Sequence, residues 1–174
     1  MFGLLRKKNP YQNDAYAVYE RMMQHSRSPV FYQDMGVPDS FDGRYDLLVV
    51  HAYLLFEVLN EKDGDNAAAF NQALFDQIFK HMKVTLREIG VGDVGIPKHM
   101  QKMMKAFNGR MHSYSEALQN GDLDGVLIRN VYGTIDEPDL QDVEKMADYI
   151  RSSLDRLRKK EFDEIITDEE LFEF

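Results

Sequence analysis

From Leu47 to Leu59 the chain carries apolar side chains at nearly every position, interrupted by His51 and Glu57. A segment with no face to offer water must run through the centre of whatever the chain folds into. Periodicity does not separate a buried helix from a buried strand here. The pattern extends from Arg44 to Asn60, however, and that length favours a helix. It falls short of the roughly 17–25 apolar residues that cross a bilayer, so no transmembrane helix is expected.

The rest of the chain supplies elements to wrap such a core. Ala15, Val18 and Met22 recur at helical spacing between Tyr11 and His25, and Ser28-Pro29, Gly36, Val37-Pro38 and Asp42-Gly43 then mark residues 26–43 as a long connector. Asp63-Gly64-Asp65 separates the central segment from, and caps, an amphipathic helix with Phe70, Leu74, Phe75, Ile78, Phe79, Met82, Leu86 and Ile89 on one wide apolar stripe, stopped by Gly90. Pro97 opens a further helix in which Met100, Met104, Phe107, Met111, Tyr114 and Leu118 alternate steps of four and three, an a/d seam with Gly109 inside it. A short helix before Gly133 and a long one after Pro138 complete the pattern.

Nothing alternates as a strand, and there is no internal repeat. The expectation is an all-α, irregular single-domain bundle of about six helices: residues 1–10 a flexible basic and apolar start, 11–160 the helical domain, 161–174 an acidic tail. That tail mixes seven acidic residues with Phe162, Ile165, Ile166, Leu171, Phe172 and Phe174, and Thr167 to Glu170 reads as a capping box.

Several chemistries are excluded or poorly supported. The absence of cysteine removes disulfides, thiolate metal sites and cysteine nucleophiles, and suits a reducing, cytoplasmic address. At the start of the chain the charges follow the apolar residues, the reverse of a secretory signal. None of the five histidines has a glutamate three residues before it, so the di-iron pattern is missing, and no metal is expected. There is no Gly-x-Ser-x-Gly elbow or Walker loop, hence no catalytic residue is assigned. A net charge of −9 argues against a DNA partner.

Charge is nonetheless segregated. From Lys80 to His112 seven basic residues (Lys80, Lys83, Arg87, Lys98, Lys102, Lys105, Arg110) face two acidic ones, which makes this stretch +5 and leaves −14 for the remainder. Lys98, Lys102 and Lys105 form a basic stripe opposite the methionine seam, either a solvated face or a dock for a negatively charged partner: an acidic protein, ribosomal RNA or anionic lipid. Met100, Met103, Met104 and Met111 are read either as core or as a surface that accepts varied apolar partners. At the N-terminus Phe2, Leu4 and Leu5 beside Arg6, Lys7 and Lys8 resemble a membrane-surface anchor in miniature.

Tyr45-Asp46 with His51, Leu74-Phe75, Leu86-Arg87-Glu88-Ile89-Gly90-Val91-Gly92-Asp93, Pro97-Lys98, Ala106-Phe107, Gly109-Arg110, Tyr114 and Arg129-Asn130-Val131-Tyr132, taken in order and spacing, resemble the ubiquinol-cytochrome c chaperone family. The likeness runs from about residue 43 to 133, and the chain is identified by it as a bacterial member. Asn108 departs from the pattern, where an aromatic is expected. The resemblance implies a helical assembly chaperone for ubiquinol-cytochrome c reductase, not an enzyme and without a cofactor, that binds newly made cytochrome b. The ribosome is a further partner it suggests, and the inner-membrane surface is one that the N-terminal anchor suggests. The candidate partner-binding residues are Arg87, Glu88, Gly90, Gly92, Asp93, Lys98, Lys102, Lys105, Gly109, Arg110, Tyr114 and Asn130, with Gly90 and Gly92 shaping a tight turn and Asp93 capping the amides that follow. Two other readings stand beside it: a haem- or small-ligand-binding protein using His51 and His112, and an RNA- or ribosome-binding adaptor using the lysine stripe.

Overall fold

The structure, a computed structural model, describes residues 9–62 and 64–174. The expected anchor at Phe2, Leu4, Leu5, Arg6, Lys7 and Lys8 lies outside them, as does Asp63. Among the described residues there are eight helices and no strand: α1 (Gln12–His25), α2 (Pro29–Gln33), α3 (Phe41–Glu61), α4 (Asp65–Glu88), α5 (Ile96–Asn120), α6 (Leu123–Arg129), α7 (Leu140–Arg158) and α8 (Phe162–Thr167). Six have seven residues or more, and the two short ones, α2 and α8, are those the sequence pattern left unassigned.

Helix α3 is the axis of the fold. Ser40 caps it by accepting from the Gly43 amide at 3.1 Å, and every residue from Leu47 to Leu55 is buried. Helices α4, α5 and α7 pack on α3, while α1 lies against both α3 and α4 and is itself covered by α8. Side chains from all of these helices interlock in one core, with Tyr53, Tyr114, Tyr132, Phe31, Phe70 and Phe107 the largest fully enclosed.

Three expectations are corrected. Asp42-Gly43 is not a turn but the first turn of α3; Gly43 is required there because a Cβ would come within 2.0 Å of the Pro38 carbonyl oxygen. The Thr167–Glu170 capping box does not form: Glu161 and Glu164 make the reciprocal pair at the start of α8, and the Thr167 hydroxyl donates to the Asp163 carbonyl at 2.7 Å. The α5 seam is only half realised. Phe107, Tyr114 and Ala117 are buried, Met100, Met103, Met111 and Leu118 are half-buried, and Met104 is 39% exposed. Between Ile96 and Phe107 no residue of α5 is buried, so the first half of this helix has α4 beside it and no closed core around it.

The segment after α7 is tied to the body. Ile165, Leu171 and Phe172 are buried, and the Arg21 guanidinium of α1 donates to the carbonyls of Ile166 (2.7 Å) and Asp168 (2.5 Å).

Candidate functional site

The α4–α5 hairpin is shaped by its turn. Helix α4 ends in a Schellman motif: the Val91 amide donates to the Leu86 carbonyl at 2.9 Å and the Gly90 amide to the Arg87 carbonyl at 3.0 Å, with Gly90 at φ +90°. Gly92 does not share that left-handed backbone. Asp93 does not cap α5, whose N-cap is Gly95 without a side-chain bond; its carboxylate instead accepts from the Arg87 guanidinium at 3.2 Å, across the turn. A charged partner six residues back competes more effectively for this carboxylate than the helix amides do.

Behind the turn, Lys98, Lys102 and Lys105 are all exposed, as are Lys80, Lys83 and Arg87. Among the described residues none of these five lysines has a carboxylate within 4.0 Å, whereas most other cations of the body do. The field of the hairpin is therefore available to a partner.

About 18 Å further along α5, at 1.5 Å per residue, lies a second group. The Arg110 guanidinium donates to the Asp46 carboxylate of α3, which is 3% exposed, and its Cζ stands 5.4 Å from the centroid of the Tyr45 ring. Burial pushes the Asp46 carboxyl above the usual range, and Arg110 draws it back only in part. The Tyr45 hydroxyl donates to the Met103 carbonyl at 3.3 Å; burial raises that phenol to about 12. Tyr114 is fully enclosed nearby, its hydroxyl without a hydrogen bond of ordinary geometry, and burial raises its pKa, opposed in part by Arg110 and Asn130. Asn130 ends α6. The Tyr132 hydroxyl reaches the carbonyls of Met35 (2.6 Å) and Asp142 (3.1 Å) and so pins the connector to α7.

The candidate residues thus fall into two groups joined by the lysine stripe. Arg87, Glu88, Gly90, Gly92 and Asp93 make the exposed turn. Arg110, Tyr114 and Asn130, with Asp46, make an internal lock, and Gly109 is exposed on α5 beside it, with open space around its Cα.

Between these groups is a feature that the sequence pattern did not single out. A groove of about 240 Å³ opens where α1, α3, α4 and α5 meet, lined by Met23, Met82, Met103, Tyr19, Tyr45, Leu48, Leu86 and the 52%-exposed Phe41, with Arg27 and Arg44 at its polar edge. Each of its three methionines comes from a different helix. Of the three only Met103 is a candidate surface residue from the sequence: Met82 lies on the apolar stripe of α4, and Met23 lies off the Ala15–Val18–Met22 stripe and takes no part in the pattern. Thioether side chains re-pack at little cost, which makes such a lining tolerant of differently shaped apolar groups.

The two histidines of the ligand-binding reading do not share a cavity. His51 is fully buried, with Nδ1 2.7 Å from the Leu47 carbonyl and Nε2 2.8 Å from the Tyr149 hydroxyl, while His112 is exposed and faces Glu116 at 3.3 Å. Among the described residues no three acids or histidines cluster as metal ligands, and no helix is long and apolar enough to cross a membrane.

The described body is thus all-helical, with a methionine-lined groove beside a hairpin whose five exposed lysines have, among the described residues, no carboxylate within 4.0 Å. The model of the ubiquinol-cytochrome c chaperone family matches residues 33–172, and the chain belongs to that family. Among curated proteins it is similar to Protein CBP3, mitochondrial, of Saccharomyces cerevisiae, at 24% identity over 82% of this chain. The chain spans 47% of the length of that relative. Among solved structures it is similar to the crystal structure of the Cbp3 homolog from Brucella abortus, with a TM-score of 0.79 and 29% identity over 92% of this chain and 89% of that one.

Proposed function

We propose that this protein assists assembly of ubiquinol-cytochrome c reductase by holding an apolar segment of newly made cytochrome b in the groove of α1, α3, α4 and α5, as a binding protein and not as an enzyme. The observation that carries this reading is the groove itself: three methionines, the exposed Phe41 and the half-buried Tyr45 over a floor of Tyr19, Leu48 and Leu86, with Leu86 belonging also to the Leu86–Asp93 motif. The basic hairpin supplies long-range attraction to acidic loops of the client, which raises the encounter rate more than the final affinity. Work at the cytoplasmic side of the inner membrane, near the ribosome, follows from such a client.

Two measurements test the proposal. Deleting the gene is expected to lower assembled reductase and spectroscopically visible cytochrome b while other respiratory routes continue. In capture of newly synthesised cytochrome b by the tagged chain, Phe41→Asp and Met103→Asp are expected to abolish retention while leaving the thermal melt near wild type, since neither side chain is fully buried. Normal cytochrome b in the deletion strain, or full capture by folded groove variants, would overturn it.

A further inference from the structure

We propose that the apex of the α4–α5 hairpin, Ile89 to Val94, is a docking point for an anionic lipid bilayer surface. This goes beyond the client groove and rests on separate observations.

Val94 is 98% exposed and Ile89 is 59% exposed, the two most exposed apolar side chains of the hairpin. They sit on a turn closed by the Schellman motif and flanked by the exposed Arg87–Asp93 pair, so the backbone of the turn itself directs them outward. A Cβ placed on Gly90 or Gly92 would meet nothing within 4 Å, which makes the apex convex with open space around it. A convex apolar tip offers no pocket for a client side chain, whereas it can enter the soft boundary between headgroups and acyl chains.

Behind the apex six exposed cations, Lys80, Lys83, Arg87, Lys98, Lys102 and Lys105, stand against Glu88 and Asp93, and Asp93 is already answered by Arg87. Lys98 and Lys102 lie within about 10 Å of the turn along α5, about one screening length at moderate salt. Apolar residues in front and unpaired cations behind are the charge complement of an anionic headgroup layer. Single-stranded nucleic acid is a poorer match, because residues 89–95 contain no aromatic ring on which a base would stack.

The absence of cysteine permits a direct test on the full chain. Val94→Cys, labelled with an environment-sensitive dye, is expected to shift to the blue with phosphatidylglycerol-containing vesicles and not with phosphatidylcholine vesicles, and the same dye at Gln119→Cys is expected to stay unchanged. In flotation, Ile89→Ser with Val94→Ser should bind about tenfold more weakly than wild type, with an unaltered melt and unaltered client capture. A dye at 94 that remains in water while the protein floats would overturn the proposal, since another segment would then hold the membrane. So would flotation of the double variant at wild-type level, or binding of the hairpin to polyuridine RNA and not to vesicles. Client capture by the same variants reads the groove independently, so failure of one proposal does not imply failure of the other.

Discussion

Asp46 and Arg110 show how one residue pair can decide whether α5 stays on the core. The Asp46 side chain is 4% exposed and that of Arg110 25%, so the carboxylate has given up more water than the guanidinium that compensates it. The two substitutions are therefore unequal. Arg110→Met is expected to cost about 3 kcal/mol in urea unfolding, because it strands a buried carboxylate. Asp46→Asn should cost less, since the amide keeps a hydrogen-bonding oxygen and carries no charge, and the double variant should recover part of the Arg110→Met loss. A single Arg110→Met variant as stable as wild type would show that the pair holds nothing. At this scale the sequence was only partly legible. Both residues were visible as family motif positions, but a pairing across 64 residues has no local periodicity to announce it.

Among the elements, α5 carries the clearest division between support and surface. Its second half is anchored by Phe107, Tyr114 and Ala117, and its first half presents lysines to water. Reversing Lys98, Lys102 and Lys105 to glutamate is expected to leave helical circular dichroism and the melt nearly unchanged, as exposed substitutions alter stability by about 0.5 kcal/mol each. Capture of the client should fall steeply, because attraction becomes repulsion. As a destabilising control, Phe107→Ala, at a 2%-exposed position, is expected to cost about 3–5 kcal/mol. A triple reversal that captures at wild-type level would reduce the stripe to a solvated face. Helix extents were legible because caps, glycines and apolar spacing act over a few residues, so that α3, α4, α5 and α7 follow from the pattern nearly to their ends. The seam of α5 was legible at Phe107 and Tyr114 but not around Met103 and Met104: these two are equivalent in chemistry, and only the position of α4 and α1 decides that Met103 enters the groove.

For the molecule as a whole, the hydrogen-bond chain joining α1, α3 and α7 sets its response to acid. The Leu47 carbonyl requires His51 Nδ1 to donate, so Nε2 accepts from the Tyr149 hydroxyl, whose oxygen in turn lies 3.0 Å from His25 Nε2 and accepts its proton. Both rings are neutral in this arrangement. Burial holds His51 down at about 3 and His25 at about 4, against 6.5 for a free imidazole. A depressed imidazole pKa means that the unfolded chain binds the extra protons. The contribution is thus fully present above pH 6.5 and is lost as pH falls from there toward about 4 for His25 and about 3 for His51. For fully buried His51 the slope approaches about 1.4 kcal/mol per pH unit, and His51→Gln should flatten the pH dependence of the urea midpoint between pH 6.5 and 4.5 relative to wild type. Equal slopes in the two proteins would refute this.

The clasp of Arg21 on the carbonyls of Ile166 and Asp168 carries a further consequence, in time instead of space. These partners are separated by 145 and 147 residues, so during synthesis α1 emerges long before the chain that covers it. Closure over Tyr11, Arg21 and His25 waits for residues 162–172 to leave the ribosome. Late nonsense alleles should therefore behave as unstable proteins with an intact client groove, a phenotype distinct from that of point changes at Phe41 or Met103.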